Sequence, residues 1–129
     1  MVELLEYQRF VEYTTSRESK GISEFIDRIV TVDANVPLLL TASVGLASES
    51  GEFSEIVKKV IFQGKELNVD VRYHMLRELG DICWYLANAA NALNADLEEI
   101  VKMNVAKLEA RYPNGFEVSR SENRAKGDI

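Results

Sequence analysis

The sequence predicts an all-α protein built as a helical bundle, and two observations point to this fold class. Only two prolines and seven glycines occur in 129 residues, which is few for a protein of hairpins and turns. Apolar residues also recur every three or four positions over long stretches, which is the spacing of one helix face. With 47% hydrophobic and 28% charged residues, residues 1–129 are expected to form a single domain.

The helices can be placed in order from their apolar spacing and their end signals. Pro37 suits the first turn of a long helix, and Gly64 suits its C-terminal end. Asp96 can cap a later helix, with Glu99 three residues on as in a capping box, and Pro113 ends that helix. The predicted helices cover residues 3–15, 22–30, 37–62, 70–93 and 97–111.

Four acidic residues lie on the apolar faces of the two longest predicted helices. Glu49 falls in the middle of one apolar stripe and Glu52 on its edge, and Glu78 and Asp81 repeat this arrangement on the next helix. Residues three apart differ by about 60° around a helix, so each pair projects from one side. Antiparallel packing of the two stripes would bring the four carboxylates together.

Four such carboxylates in a core repel one another and lose hydration, unless a cation compensates their charge. A single acid on an apolar face is usually a helix-edge residue that reaches water, but two matching pairs on adjacent helices are harder to explain in that way. Because all the ligands are oxygens, the cluster favours Mg²⁺, with Mn²⁺ as a substitute, over Zn²⁺.

The third long helix carries polar residues within or beside its apolar stripe, namely Asn104, Lys107 and Arg111. Such residues can simply form a solvated flank whose long side chains extend to water. Cations spaced four residues apart beside a metal–carboxylate site are also what a polyphosphate would require, because the metal neutralises only part of its charge.

These motifs together carry a resemblance to a known family. The segments "ESGE" at 49–52, "ELGD" at 78–81 and "NVAKLEARYP" at 104–113 resemble the MazG-like all-α nucleoside triphosphate pyrophosphohydrolases, whose pattern is ExxE, a spacer and ExxD. The resemblance covers residues 37–116 and is to the compact single-domain versions from bacteria and phages. Residues 117–129 then remain as a polar C-terminal tail.

The resemblance implies a Mg²⁺-dependent hydrolase that converts nucleoside or deoxynucleoside triphosphates to the monophosphate and pyrophosphate. It implies that one of the metal-binding acids orients or deprotonates the attacking water. Glu55, further round the helix, would be an outer-shell group or the water-activating base. By motif, the implied metal ligands are Glu49, Glu52, Glu78 and Asp81, and the implied phosphate-binding residues are Asn104, Lys107 and Arg111.

The family also implies a homodimer or a dimer of dimers, in which four-helix bundles are completed across subunits. The preferred base and sugar stay open, and an alarmone is an alternative substrate. Aromatic and amide side chains that could select the base are Phe53, Trp84, Tyr85, Asn88 and Asn91.

Composition excludes two classes of partner. The formal net charge is −6 without a cluster of Lys and Arg, which argues against nucleic acid. No apolar run approaches the ~20 residues of a membrane span, and the first residues, "MVELLEYQRF", carry acids where a signal peptide carries Lys or Arg. With Cys83 as the single cysteine, we expect a cytoplasmic protein.

Two alternatives use the same residues. A di-iron bundle of the ferritin type requires Glu-x-x-His on two helices, whereas the single histidine, His74, precedes Glu78 by four and has no acid three before it. A non-catalytic regulatory helical module that has kept the fold could lose acids from the quartet, yet all four are present.

The tail after Phe116 is polar and aperiodic, so composition predicts a mobile segment. It nevertheless carries Arg120, Arg124 and Lys126 in an acidic chain. We therefore hypothesise that the tail folds over a bound nucleotide and that one or more of these cations touch phosphate.

Overall fold

The structure is a computed structural model that describes residues 3–124 and 127. Within these residues the regular elements are all helices, without a strand, which confirms the all-α prediction. None of these helices combines the length and apolar content that crossing a membrane requires. The helices are α1 Leu4–Thr14, α2 Arg17–Lys20, α3 Ile22–Ile29, α4 Val36–Phe62, α5 Val69–Ala92, α6 Leu97–Arg111 and α7 Val118–Glu122.

The chain divides into two compact units, Met1–Val36 and Pro37–Ile129. The first unit contains α1, α2 and α3. The sequence did not predict α2, although a signal for it is present: the hydroxyl of Ser16 accepts a hydrogen bond from the Ser19 backbone N–H at 3.3 Å, as an N-cap does. The organisation as one domain stays a prediction.

The second unit contains α4 from its second residue onwards, together with α5, α6 and α7. The end of α4 follows the predicted signal. Gly64 has φ +70°, a left-handed conformation that glycine adopts without a steric cost. The turn lets the backbone N–H of Lys65 donate to the carbonyl of Lys59 at 3.1 Å. The chain thereby reverses, and α5 begins after a short connection.

Side-chain caps fix where α5 and α6 begin. Asn68 Oδ1 accepts from the Val71 N–H at 2.9 Å, a cap that the sequence analysis did not predict. Asp96 Oδ1 accepts from the Glu98 N–H at 2.8 Å, which confirms the predicted cap. Each cap satisfies one of the amides that a helix leaves unpaired in its first turn.

Helices α4 and α5 pack antiparallel, as their contacts show. In the first half of α4, Gly45 lies against the ring of Tyr85, which is in the second half of α5. Glu49 and Glu52 follow Gly45 in α4, and they lie beside Glu78, which precedes Tyr85 in α5. The order of the contacts is thus reversed between the two helices. The buried apolar residues of the described chain are Ala42, Ile56, Val71, Ala90 and Ala92. The core is therefore built mainly from small or β-branched side chains.

The segment after Phe116 differs in part from the prediction, because Val118–Glu122 forms α7. A local ion pair supports this short helix: Arg120 Nε donates to Glu117 Oε2 at 3.1 Å, three residues apart. Such i, i+3 pairs stabilise a helical turn, and hydropathy periodicity over so few residues does not reveal it. Of the three predicted tail cations, Lys126 lies outside the described residues.

Candidate metal centre

Three acidic side chains converge where α4 and α5 pack together. Carboxylate oxygens of Glu49, Glu52 and Glu78 lie within 4.8 Å of one another. Glu78 is the deepest member, with 6% of its surface exposed, whereas Glu49 is half-buried and Glu52 is exposed. The group thus opens towards solvent on its α4 side.

The helix geometry explains the convergence. Glu49 is four residues after Gly45, so both lie on the face of α4 that meets α5. At Gly45 an added Cβ would fall 2.1 Å from Tyr85 Cε1, which shows that the absence of a side chain lets the ring approach the α4 backbone. This close approach brings the acids of the two helices within reach of one another.

The pKa of Glu49 is raised above its ordinary value of 4.5, first by burial and then by the negative charges of Glu52, Asp81 and Glu78. A side-chain hydrogen bond with Glu78 acts in the same direction. All these causes disfavour the ionised form of Glu49. The cluster therefore holds repulsion that a bound cation would relieve.

Asp81 is the fourth acid of the predicted quartet, and the structure places it differently. It is exposed and lies close enough for its charge to raise the pKa of Glu49, but it is not one of the three acids whose oxygens converge. Its role as a fourth ligand stays a prediction.

His74 makes a contact with Glu78 that the sequence analysis did not predict. Its Nε2 lies 2.9 Å from Glu78 Oε1, and the two side chains are 57% and 8% exposed. The signal was the spacing of four residues, which places two side chains side by side on a helix. Only the packing of α4 over Glu78 shows that the histidine reaches a buried acid.

Glu55 is engaged by lysines of its own helix. It forms ion pairs with Lys58 and with Lys59, the latter at 3.3 Å between Lys59 Nζ and Glu55 Oε1. Hydrogen bonds from these two lysines lower the pKa of Glu55 below 4.5. A lowered pKa makes a carboxylate a weaker base, which favours the outer-shell alternative for Glu55 over the water-activating one.

A cavity of about 320 Å³ adjoins the acid cluster. It contains one member of the cluster, Glu52, and brings residues of α4 together with His74 of α5. Its lining residues are Ser48, Gly51, Glu52, Glu55, Ile56, Lys59 and His74. Charged and polar side chains thus border the open side of the acids.

The predicted phosphate-binding residues lie on α6. Asn104 and Lys107 are exposed, and Arg111 is half-buried at the end of the helix, with its guanidinium carbon 5.9 Å from the centre of the Tyr112 ring. Their contact with phosphate stays a prediction.

Among the residues considered for base selection, Tyr85 has a structural contact with Gly45. Trp84 meets the Tyr85 ring edge-on, with centroids 4.8 Å apart, and is 58% exposed. The amide of Asn88 donates to the Trp84 carbonyl at 3.0 Å. These contacts give Tyr85 a packing role and leave Trp84 accessible.

The three converging acids fit a small divalent cation. Their donors are all carboxylate oxygens, the ligands that Mg²⁺ and Mn²⁺ prefer. Opposed ligands of Mg²⁺ are about 4.2 Å apart, twice the usual metal–oxygen distance. Because the observed spread is within 4.8 Å, a small change in side-chain torsions would close the oxygens around one ion.

Comparison with known proteins agrees with the motifs. The sequence model of the family described as the MazG nucleotide pyrophosphohydrolase domain matches residues 39–116, which are more than half of the chain. This range contains α5, α6 and the converging acids. The Gene 37 protein of Mycobacterium phage L5 is 33% identical over 84 residues, which are 64% of this chain and 73% of the phage protein. No solved structure matches the chain. The chain therefore belongs to the MazG nucleotide pyrophosphohydrolase family.

Proposed function

We propose that the protein hydrolyses nucleoside or deoxynucleoside triphosphates to the monophosphate and pyrophosphate with Mg²⁺, and that Mn²⁺ can substitute. The family supplies the reaction class. The observation that carries the proposal for this chain is the convergence of Glu49, Glu52 and Glu78, together with the raised pKa of Glu49.

In this proposal the acids hold the cation and the α6 residues hold the substrate. Glu49, Glu52 and Glu78 are the proposed ligands, with Asp81 as the fourth ligand that the motif implies. A bound divalent cation supplies Lewis acidity towards phosphate and lowers the pKa of water. Asn104, Lys107 and Arg111, which the motif implies as phosphate-binding residues, offset the charge that collects on the leaving group.

The proposed reaction breaks one phosphoanhydride bond. The oxygen of water attacks the α-phosphorus, and the bond from that phosphorus to the bridging oxygen breaks. Pyrophosphate leaves with the bridging oxygen, and one acid of the site accepts the proton of water. The monophosphate therefore carries the oxygen that came from water.

Product analysis in water enriched in the heavy oxygen isotope tests this proposal. We expect pyrophosphate rather than inorganic phosphate as the released product, and we expect phosphorus NMR to find the isotope in the nucleoside monophosphate. Chelation of the metal should stop the reaction. Release of inorganic phosphate with the isotope in it would overturn the proposed bond cleavage, and inactivity towards all common nucleotides would favour the non-catalytic alternative.

A further inference from the structure

We propose that His74 is a positioning residue for the metal centre, which holds the carboxylate of Glu78 in the orientation that binds the cation. This inference rests on the proposed function, because it concerns the same site. Its basis is one contact: Nε2 of His74 lies 2.9 Å from Oε1 of Glu78, within the distance of an N–H to O hydrogen bond.

The surroundings of Glu78 explain why it needs a donor. Its side chain is 8% exposed, so water can solvate little of its carboxylate, and a buried carboxylate without hydrogen bonds is costly. Oxygens of Glu49 and Glu52 on α4 lie within 4.8 Å of Glu78, and ionised carboxylates offer neither a donor nor a compensating charge. The His74 imidazole nitrogen, 2.9 Å from Glu78 Oε1, is placed to supply such a donor.

In the proposed role, a hydrogen bond from His74 would also restrict how Glu78 can turn. A carboxylate has two oxygens and about four acceptor positions, so an oxygen that accepts from His74 can still take part in the cluster. His74 and Glu78 are four residues apart on α5, and the helix fixes their relative position. Because rotation of the Glu78 carboxylate would break the bond to His74, the histidine selects one arrangement of the ligand.

The exposure of His74 favours a positioning role over a packing role. With 57% of its side chain exposed, the ring buries little apolar surface, so its removal should cost little folding free energy. Partners that hydrogen-bond a metal ligand from outside typically change metal affinity or activity by about 10–100-fold when they are removed. The two roles therefore predict different changes on mutation.

The decisive experiment measures Mn²⁺ binding to the nucleotide-free full-length protein by electron paramagnetic resonance. H74L removes the donor, and H74Q restores an N–H at a position close to that of Nε2. R72L is the matched charge control, because Arg72 is an exposed cation two residues away on the same helix. Thermal melting without metal reports on folding.

We expect H74L to weaken Mn²⁺ binding by about 10–100-fold, H74Q to recover most of the affinity, and R72L to stay close to the wild type. If H74L bound Mn²⁺ as tightly as the wild type, the proposed role of His74 would be overturned, while the metal site would stay in place. If H74Q and H74L bound Mn²⁺ equally weakly, the hydrogen-bond donor of His74 would be excluded as the cause of its effect. A strong nitrogen coupling to Mn²⁺ from His74 would overturn the proposal in favour of direct ligation, and absence of Mn²⁺ binding to the wild type would overturn the metal site as well.

Discussion

At the scale of single residues, the central feature is an acid kept on an apolar face. Glu49 has a raised pKa, with burial as the largest cause and the charges of Glu52, Asp81 and Glu78 next. An acid in this environment is unfavourable for folding and is retained where a ligand needs it. Function and stability therefore oppose each other at this position in the metal-free protein.

The first prediction concerns stability and pH. An acid whose pKa is raised in the folded state binds its proton more tightly there than in the unfolded chain, so its contribution to stability is present below 4.5 and is lost as pH rises through the raised pKa. Without metal, E49Q should therefore melt above the wild type near neutral pH, and the difference should vanish below pH 4.5.

Saturating Mg²⁺ provides the control for that prediction, because it should stabilise the wild type more than E49Q and reduce or reverse the difference. Calorimetric melting curves with and without metal measure both effects. A metal-free E49Q protein that melts below the wild type near neutral pH would contradict the repulsion assigned to this cluster.

The second prediction concerns Glu55, whose pKa is lowered by Lys58 and Lys59. If it is an outer-shell group, E55Q should retain measurable pyrophosphate release at every pH, with a kcat reduced by less than about 100-fold. Steady-state kinetics across pH checks this expectation. Loss of activity comparable to that of E49Q, together with loss of the acidic limb of the pH profile, would instead identify Glu55 as the water-activating base.

At the scale of elements, the contact of α4 with α5 sets the site. Gly45 lets the Tyr85 ring approach the α4 backbone, and the acids meet within the same helix pair. The three long helices and their end signals at Gly64 and Asp96 were predictable, because long apolar periodicity and caps are local properties of a sequence.

Other features of the elements were not predictable for physical reasons. Helices α2 and α7 are four and five residues long, too short for a periodic pattern, and they depend on caps and single ion pairs. The His74 contact with Glu78 follows from helix spacing, but its importance depends on burial by α4. Likewise, sequence phase indicated four converging acids; the structure brings together Glu49, Glu52 and Glu78, and the role of Asp81 as a fourth ligand stays a prediction.

The third prediction tests the helix contact. A Cβ at Gly45 would meet Tyr85 at 2.1 Å, and such overpacking costs about 1–3 kcal/mol, which exceeds the gain of about 1 kcal/mol from alanine in a helix. G45A should therefore lower the melting temperature. G80A is the matched control, because a Cβ there has no heavy atom within 4 Å, and it should keep or raise the melting temperature.

The double variant G45A/Y85A separates the clash from other effects at Gly45. It should be less unstable than the sum of its single variants, since removal of the ring removes the clash. Additive destabilisation in thermal melting would show that Gly45 does not act through Tyr85.

At the scale of the whole molecule, the apolar surface bears on assembly. In the second unit, Leu76 and Trp84 of α5 are 60% and 58% exposed, and Val101 and Met103 of α6 are 53% and 67% exposed. Exposed apolar groups in this number are typical of an interaction surface. They support the expectation, which the family implies, that a second copy completes the bundle.

The fourth prediction follows from that surface. We expect a dimer or a tetramer in sedimentation velocity, because burial of these side chains between copies would release apolar surface from water. W84E, which places a charge on the exposed α5 face, should shift the distribution towards smaller species if that face is covered. A wild-type protein that stays monomeric at all concentrations would contradict the prediction.

The fifth prediction tests the central claim, that the acids between α4 and α5 perform metal-dependent hydrolysis. Pyrophosphate release should be measured for the wild type, E49Q, E78Q and the exposed-acid control E98Q at saturating Mg²⁺, with circular dichroism to confirm helix content. We predict that E49Q and E78Q reduce the rate of pyrophosphate release by more than about 100-fold, which is more than the removal of a hydrogen bond to a metal ligand typically causes. E98Q should keep the wild-type rate. Wild-type activity in folded E49Q or E78Q would contradict the account.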